Sequence, residues 1–425
     1  MSRILLATIG SLGDIHPMIA IGLALKRRGH EVIFATSQHY HGRLRALGFT
    51  VAALRPDSIK PTDEDKLAQI MDLRKGSEFL IRDYIFPNIK DMYDDLSALA
   101  QGVDLMLVTE IVYAGRLVAE VQKIPWAFLT LAPSSFFSVY DMPVLPGREK
   151  FAVLHKLGPF FNQFLINIGK WVGRSWPRPY YELRRSLGLP PQGNPIFSDK
   201  FSPYLVLAAF SSLIGERQKD WPRSTKITGF AYHDSAPDLF DRDKIENLKK
   251  MEEFLSDGEA PIVFTLGSAA IFAPGRFYEE SLEAAKILNR RAVFLMGQNK
   301  LFENLPPTMI AFDYLPFHAI LPHAAAIVHQ GGIGTSAQAL RSGKPTLCVP
   351  FSHDQPDNAR RLAQLGTSLT LPKRDYTARA AAEKLDILLK NKIFAEKAEA
   401  IGQILRSEDG AERAADALEA LIKKP

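Results

Sequence analysis

Short runs of β-branched and aliphatic residues alternate with longer stretches of helical period, and the alternation is carried through twice. Strands are expected at residues 3–9, 31–36, 50–54, 104–109, 125–132 and 203–210, and again from the IVFTLGS run at 262, then at 292–296, 309–315, 325–329 and 345–350. Strands alternating with helices are the signature of βαβ units and parallel sheets, since a parallel partner needs a crossover of a dozen residues or more. The spacing therefore predicts an α/β chain of two Rossmann-like, doubly wound domains. A typical connecting helix is PMIAIGLALKRR, residues 17–28, where Pro17 suits a first turn and Gly29 a stop.

Residues 231–245 are polar, contain a proline and keep no period, which predicts a linker between a domain at 1–230 and another at 246–408. Within the first, residues 133–202 break the rhythm with many aromatics and prolines, an insertion of the kind that builds a substrate pocket or lid. The end, 409–425, reads as a helix whose apolar face (Ala414, Leu418, Leu421, Ile422) is expected to pack back towards the first domain.

Composition sets limits. With 425 residues, 46% of them hydrophobic, and a net charge of +5 spread without a basic block, the chain is too long for a mini-protein and lacks the footprint of a nucleic-acid binder. Its single cysteine, Cys348, sits in the apolar run TLCVPF and cannot form an internal disulfide, so the chain reads as cytoplasmic. MSRILLATIG is too short in its apolar run for a signal peptide and reads as a first strand, and no run of about 18 apolar residues suggests a membrane span.

The strongest chemical signal is AAIVHQGGIGTSAQALRSGKPTLCVPFSHDQPDN, residues 325–358. A strand ends at His329, and Gln330-Gly331-Gly332-Ile333-Gly334-Thr335 turns into a helix expected to begin near Thr335. Glycines allow close backbone approach, and the N–H groups at a helix start bind anions, so a phosphate or diphosphate is the natural occupant. A Walker A loop is excluded: the glycine needed five residues before Gly343-Lys344 is Gln338, and Pro345 follows. A dinucleotide fingerprint is also missing, since Gly10-Ser11-Leu12-Gly13 runs into Asp14 and the second strand ends in Ala35-Thr36-Ser37. Further on, Asp354 and Gln355 offer acceptors and donors suited to vicinal sugar hydroxyls, although Asp354 could equally cap the helix that follows.

In the first half, IGSLGDIHP (residues 9–17) carries Asp14 and His16 to the carboxyl edge of the sheet. An ordinary aspartate at about 3.9 is a weak base for an alcohol, whereas a histidine at about 6.5 is better matched to neutral pH. Burial would raise the aspartate and a helix N-terminus would lower it, so the residues alone leave the choice open. Glu110, after strand 104–109, could orient either.

These segments together resemble the family 1 glycosyltransferases of GT-B fold, which include bacterial antibiotic, macrolide and rhamnolipid glycosyltransferases, sterol glucosyltransferases and the UDP-glycosyltransferases of plants and animals. The likeness runs through Thr8–His30, Thr265–Ser268 and Asp313–Asn358. It implies two domains facing a cleft and an inverting transfer of a hexose from a nucleoside diphosphate sugar to a hydroxyl, with the base at the position of Asp14. It further implies that Tyr314, with Leu315, meets the nucleotide base, that Ser268 and Gly331, Gly332, Gly334 and Thr335 hold the diphosphate, and that Asp354 and Gln355 hold the sugar. The family's diphosphate-contacting histidine aligns with Gln330, one residue after His329, and Gln338 replaces a ribose-binding glutamate. Phe317 replaces a glutamine, which leaves UDP, the expected nucleotide, unseparated from dTDP. Relatives of this kind belong largely to secondary metabolism.

No metal or other cofactor is expected, the nucleotide sugar being a co-substrate. Asp63-Glu64-Asp65 and Asp241-Arg242-Asp243 both fall in polar, solvated stretches and not at the end of a buried strand. Phe160, Phe161, Phe164, Leu165, Ile168 and Trp171 recur at helical spacing near Lys156, Lys170 and Arg174. Such a stripe is more often core or pocket wall than a membrane anchor, though it leaves peripheral membrane contact open. With Phe136, Phe137 and Tyr140 it suggests a lipophilic acceptor: a phenol, terpenoid or sterol, macrolide or hydroxy-lipid. Two rival readings are a sugar-nucleotide 2-epimerase of the same fold and a catalytically silent helper of another glycosyltransferase.

Overall fold

The computed structural model describes residues 1–59, 63–234, 242–300, 302 and 304–423. Its first sheet is built from β1 (Arg3–Ala7), β2 (Glu31–Thr36), β3 (Thr50–Ala53), β4 (Leu105–Thr109), β5 (Trp126–Thr130), β6 (Leu205–Ala208) and β7 (Thr225–Ile227). Its second comprises β8 (Ile262–Thr265), β9 (Ala292–Leu295), β10 (Met309–Phe312), β11 (Ala326–His329), β12 (Thr346–Cys348) and β13 (Ser368–Thr370). The orders are β3-β2-β1-β4-β5-β6-β7 and β10-β9-β8-β11-β12-β13, and every pairing is parallel. Counted within each half, both share the order 3-2-1-4-5-6 of the doubly wound fold. Strand order then reverses direction between β1 and β4 and between β8 and β11, the points at which such sheets bind ligands beyond their carboxyl ends.

The chain forms two compact units: residues 1–70, 74–233 and 409–425 in one, and 71–73 with 234–408 in the other. Part of the predicted linker, 235–241, lies outside the described residues, as does Asp241 of the second acidic triplet. In the first unit, Ala414, Leu418 and Leu421 of helix Gly410–Ile422 join the core formed by Ile15, Met18 and Ile19 of helix Leu12–Arg27. Each fully buried leucine contributes about 1.5–3 kcal/mol relative to exposure. Arg28 bonds Glu412 at 2.6 Å and Asp416 at 2.7 Å, and His30 meets Glu419 at 2.9 Å, which fixes the register of that apolar contact.

Several boundaries differ from expectation. Helix Leu12–Arg27 starts five residues before Pro17, because Ser11 caps it; Pro17 lies inside and removes one bond of the first two turns. The short edge strands β7 and β13 have too little apolar sequence to announce themselves. The 133–202 insertion contains the helices Pro159–Val172 and Arg178–Ser186. Most of the aromatic stripe on the first of these is not core: Phe160 is 95% exposed and Trp171 65%, while Phe161 and Leu165 are half-buried.

Candidate active site

In the second unit, β11 runs out at His329 and the chain turns through Gln330, Gly331 and Gly332 into helix Ile333–Ser342, two residues earlier than expected. Gly331 has φ 84°, and a Cβ there would lie 3.1 Å from the Gln355 carbonyl oxygen. Gly332 is the N-cap, and being glycine it leaves the first-turn N–H groups without a capping side chain. Those groups, with the positive end of the helix dipole, make an anion site. Beside it lies the turn after β8, where Gly267 has φ 61° and Ser268 is half-buried.

Gln330 links the two turns. Its amide nitrogen is 3.4 Å from Thr335 Oγ1 and occupies the space that a Cβ on Gly267 would enter at 2.4 Å or on Gly332 at 2.7 Å. Its Oε1 is buried without a hydrogen bond among the described residues.

His329 has a different place from the donor-binding one expected of it. Its ring is fully buried, Nδ1 accepts the Gly331 N–H at 3.0 Å and Nε2 lies 3.5 Å from Cys348 Sγ. Burial lowers its pKa to about 4, so it is a neutral residue that shapes the loop from beneath. Leu315 is likewise a core side chain, packed with Phe312 and Ile320, and could meet a nucleotide only through its backbone. Tyr314 is half-buried in the loop after β10, on the same sheet edge. Gln338 lies further along the helix, its amide 3.4 Å from Asp234, which also pairs with Arg341 at 2.7 Å.

Asp354 and Gln355 start the helix Gln355–Leu365. Gln355 Oε1 accepts the Phe351 and Ser352 N–H groups at 2.8 and 3.1 Å, so its carbonyl is spent on holding its own loop. Asp354 makes no side-chain cap bond; its Oδ2 accepts from Asn358 Nδ2 at 2.7 Å. The same Asn358 amide donates to the Gly331 carbonyl at 2.9 Å and so ties the glycine loop to Asp354. Sequence reasoning did not single out Asn358, although it falls one helical turn after Asp354.

In the first unit, the loop after β1 places Gly10 at φ 136°, where a Cβ would strike the Asp14 carboxylate at 2.3 Å. Ser11 and Asp14 form a reciprocal capping box: Ser11 N–H donates to Asp14 Oδ2 at 2.8 Å and Gly13 N–H to Ser11 Oγ at 3.2 Å. The pattern Ser11-x-x-Asp14 was a legible signal of this. Both of Asp14's hydrogen bonds fall on Oδ2. Desolvation pushes its pKa up to about 6 against the pull of those bonds, with the charge of Glu110 adding to the rise.

Glu110 follows β4, across the strand-order reversal from Asp14, where Thr109 Oγ1 bonds Thr8 Oγ1 at 3.0 Å. It accepts from Ser135 Oγ at 2.5 Å and pairs with the buried Lys200, an anchor no local pattern reveals. His16 is differently engaged. Its Nε2 lies 3.3 Å from the Arg43 guanidinium, a donor that ties up that lone pair, and its ring stands edge-on to His233 at 5.4 Å.

The three aromatics expected at the acceptor divide. Phe136 is buried and stacked on Trp221 at 3.9 Å and Phe201 at 5.3 Å, so it belongs to the core. Phe137 is half-buried with φ 46°, 4.9 Å from Phe197 and 5.4 Å from the Lys200 ammonium, while Tyr140 is exposed. Among the described residues no group of three or more histidines, cysteines or acids could hold a metal ion. None of their helices is long and apolar enough to cross a membrane.

Two matching orders of parallel strands, each with a glycine-bearing loop at its reversal point, define a chain of GT-B fold. The solved glycosyltransferase VinC, in complex with dTDP, superposes with a TM-score of 0.66 at 21% identity, covering all of both chains. Residues 4–134 match the glycosyltransferase family 28 N-terminal domain, and residues 283–421 match the C-terminal domain of erythromycin biosynthesis protein CIII-like proteins. The chain is 26% identical over 422 residues to the O-mycaminosyltylonolide 6-deoxyallosyltransferase of Streptomyces fradiae, a match covering 97% of this chain and 96% of that protein. It is 25% identical over 435 residues to the sterol 3-beta-glucosyltransferase of Pichia angusta, of which it spans 33%. The chain belongs to the glycosyltransferases of GT-B fold, enzymes that transfer sugar.

Proposed function

We propose that the enzyme moves a hexose, with inversion, from a nucleoside diphosphate sugar carrying uracil or thymine to a hydroxyl of a lipophilic small molecule. The observation that carries this reading is the uncapped start of helix Ile333–Ser342 beside Gly267 and Ser268, whose backbone N–H groups suit a diphosphate. In the reaction, the acceptor hydroxyl passes its proton to the Asp14 carboxylate as its oxygen bonds the anomeric carbon. The bond from that carbon to the diphosphate breaks, and the diphosphate leaves with the electron pair. Backbone N–H groups around Gly334 and Thr335 stabilise the charge that develops, work a metal ion performs in other transferases. With a pKa near 6, Asp14 is ionised at neutral pH and far better matched to accept a proton than an ordinary aspartate. His16 is the weaker candidate because Arg43 donates to its ring nitrogen.

The test is a matrix of UDP-glucose, dTDP-glucose and dTDP-rhamnose against phenols, sterols, macrolides and hydroxy-fatty acids, read by mass, with the product anomer assigned by NMR. The expected result is a single-hexose adduct of inverted configuration, formed equally well in chelator. Transfer only to hydrophilic sugars, or epimerised donor in the absence of acceptor, would refute the reading.

A further inference from the structure

Helix Pro159–Val172 leaves a stripe of large apolar side chains exposed, while Phe161 and Leu165 are half-buried. Its packed face carries Asn162, Ile166 and Gly169. Asn162 Nδ2 donates to the Val139 carbonyl at 2.8 Å, and Gly169 lies so near Phe197 that a Cβ would sit 3.4 Å from the ring. The opposite face holds Phe160 (95% exposed), Phe164 (58%), Ile168 (43%) and Trp171 (65%), at the i, i+4 and i+3 spacing of one stripe. The preceding segment extends it with Phe151 and Leu157, also exposed. Monomeric proteins rarely leave so continuous an apolar surface in water without a use for it.

Charge identifies the occupant. Between residues 148 and 174 stand Arg148, Lys150, Lys156, Lys170 and Arg174 against a single acid, Glu149. None of the five cations forms an ion pair among the described residues, and Arg174 lies over the Trp171 ring at 4.7 Å, a cation beside an indole. A second copy of the chain would set these charges against themselves. An anionic surface would meet all of them. At 14 residues and about 1.5 Å each the helix is about 21 Å long, short of the roughly 30 Å hydrocarbon layer, so it suits lying along a bilayer and not crossing it.

We infer that this face docks in the plane of an anionic lipid bilayer, with Phe160, Phe164 and Trp171 in the headgroup boundary and the lysines and arginines against the phosphates. The inference is independent of the transfer reaction. It is tested by flotation of the purified chain with vesicles of phosphatidylcholine alone and of equimolar phosphatidylcholine and phosphatidylglycerol. The anionic vesicles should bind at least about tenfold more tightly. Lys156→Glu/Lys170→Glu/Arg174→Glu should weaken that binding by more than about 100-fold. Phe160→Ser/Phe164→Ser/Trp171→Ser should abolish it, with unchanged circular dichroism, since these side chains project into solvent. Brominated lipid should quench wild-type tryptophan fluorescence and leave Trp171→Phe nearly unquenched. No binding to either vesicle, equal binding to both, full binding by either triple variant, or a wild-type dimer that the serine variant dissolves would each overturn the proposal.

Discussion

The two halves of the molecule share a strand order and use the same two loop positions, yet equip them with opposite chemistry. After β1 and β4 the first unit presents ionisable side chains, Asp14 and Glu110, the latter paired with Lys200. After β8 and β11 the second presents backbone, with Gly267, Gly331 and Gly332 clearing the approach and a neutral histidine below. A scaffold used twice thus carries carboxylates at one pair of loops and backbone N–H groups at the other, which under the proposed reaction assigns proton transfer to the first half and anion binding to the second. Substitution in the first half should therefore change turnover and its pH dependence, and substitution in the second should change donor affinity.

The largest expected effect separates the halves outright. Asp14→Asn keeps the side chain's capping geometry but removes the base, so kcat should fall about 10²–10⁴-fold while donor affinity by calorimetry changes less than about twofold. Near-normal kcat would move the base to His16. The same change should stabilise the fold. Holding a carboxylate whose pKa is raised to about 6 costs up to about 3 kcal/mol above that pH, a cost the amide does not carry, so Tm at pH 7.5 should rise.

Next comes Glu110→Gln, which leaves the Lys200 ammonium buried without its partner and should cost about 3–5 kcal/mol in urea denaturation. It also removes a negative charge that raises the Asp14 pKa, so the acid limb of the kcat profile should move to lower pH. An unmoved limb would mean the two carboxylates act separately.

In the second unit, Gly267→Ala places a methyl group where the Gln330 amide lies, at a φ that alanine adopts only with strain. Donor Kd should rise about tenfold, with kcat at saturating donor much less affected. A kcat loss at unchanged Kd would show that the turn serves catalysis instead.

The alternation of strands and helices, and the glycine loop after β11, could be read from the chain because periodicity and glycine act locally. The capping box at Ser11 is equally local, yet Pro17 is the stronger start signal and places the expected helix five residues late. What stayed hidden depends on contacts between distant segments: Lys200 reaching Glu110, Asn358 bridging Asp354 and Gly331, and Arg43 engaging His16. Phe136 lies in the core and not at the expected acceptor site, because an aromatic in an irregular insertion looks alike whether it stacks on Trp221 or lines a pocket. The stripe on helix Pro159–Val172 differs in the other direction, exposed where core is the commoner outcome, since helical spacing predicts one apolar face without saying where it points. Motif position was a fair guide to His329's neighbourhood but not to its orientation, because a strand's last residue can face either layer.

The smallest effect tests the contrast through stability alone. Asp14 has a folded pKa above its unfolded value, so between about pH 6 and 4 the folded first unit takes up a proton that the unfolded chain does not, and acidification strengthens it. His329 has a folded pKa near 4, below the ordinary value of 6.5, so over the same interval the unfolded chain takes up the proton and acidification weakens the second unit. Hydrogen exchange followed by mass spectrometry between pH 6.5 and 4.5, corrected for intrinsic rates, should show protection falling in β11 and β12 and holding or rising in β1 and the helix behind it. Asp14→Asn should abolish any rise in β1 and leave the fall in β11 unchanged. If protection fell equally in both sheets of the wild type, the opposed ionisation of the two loops would not be what distinguishes the halves.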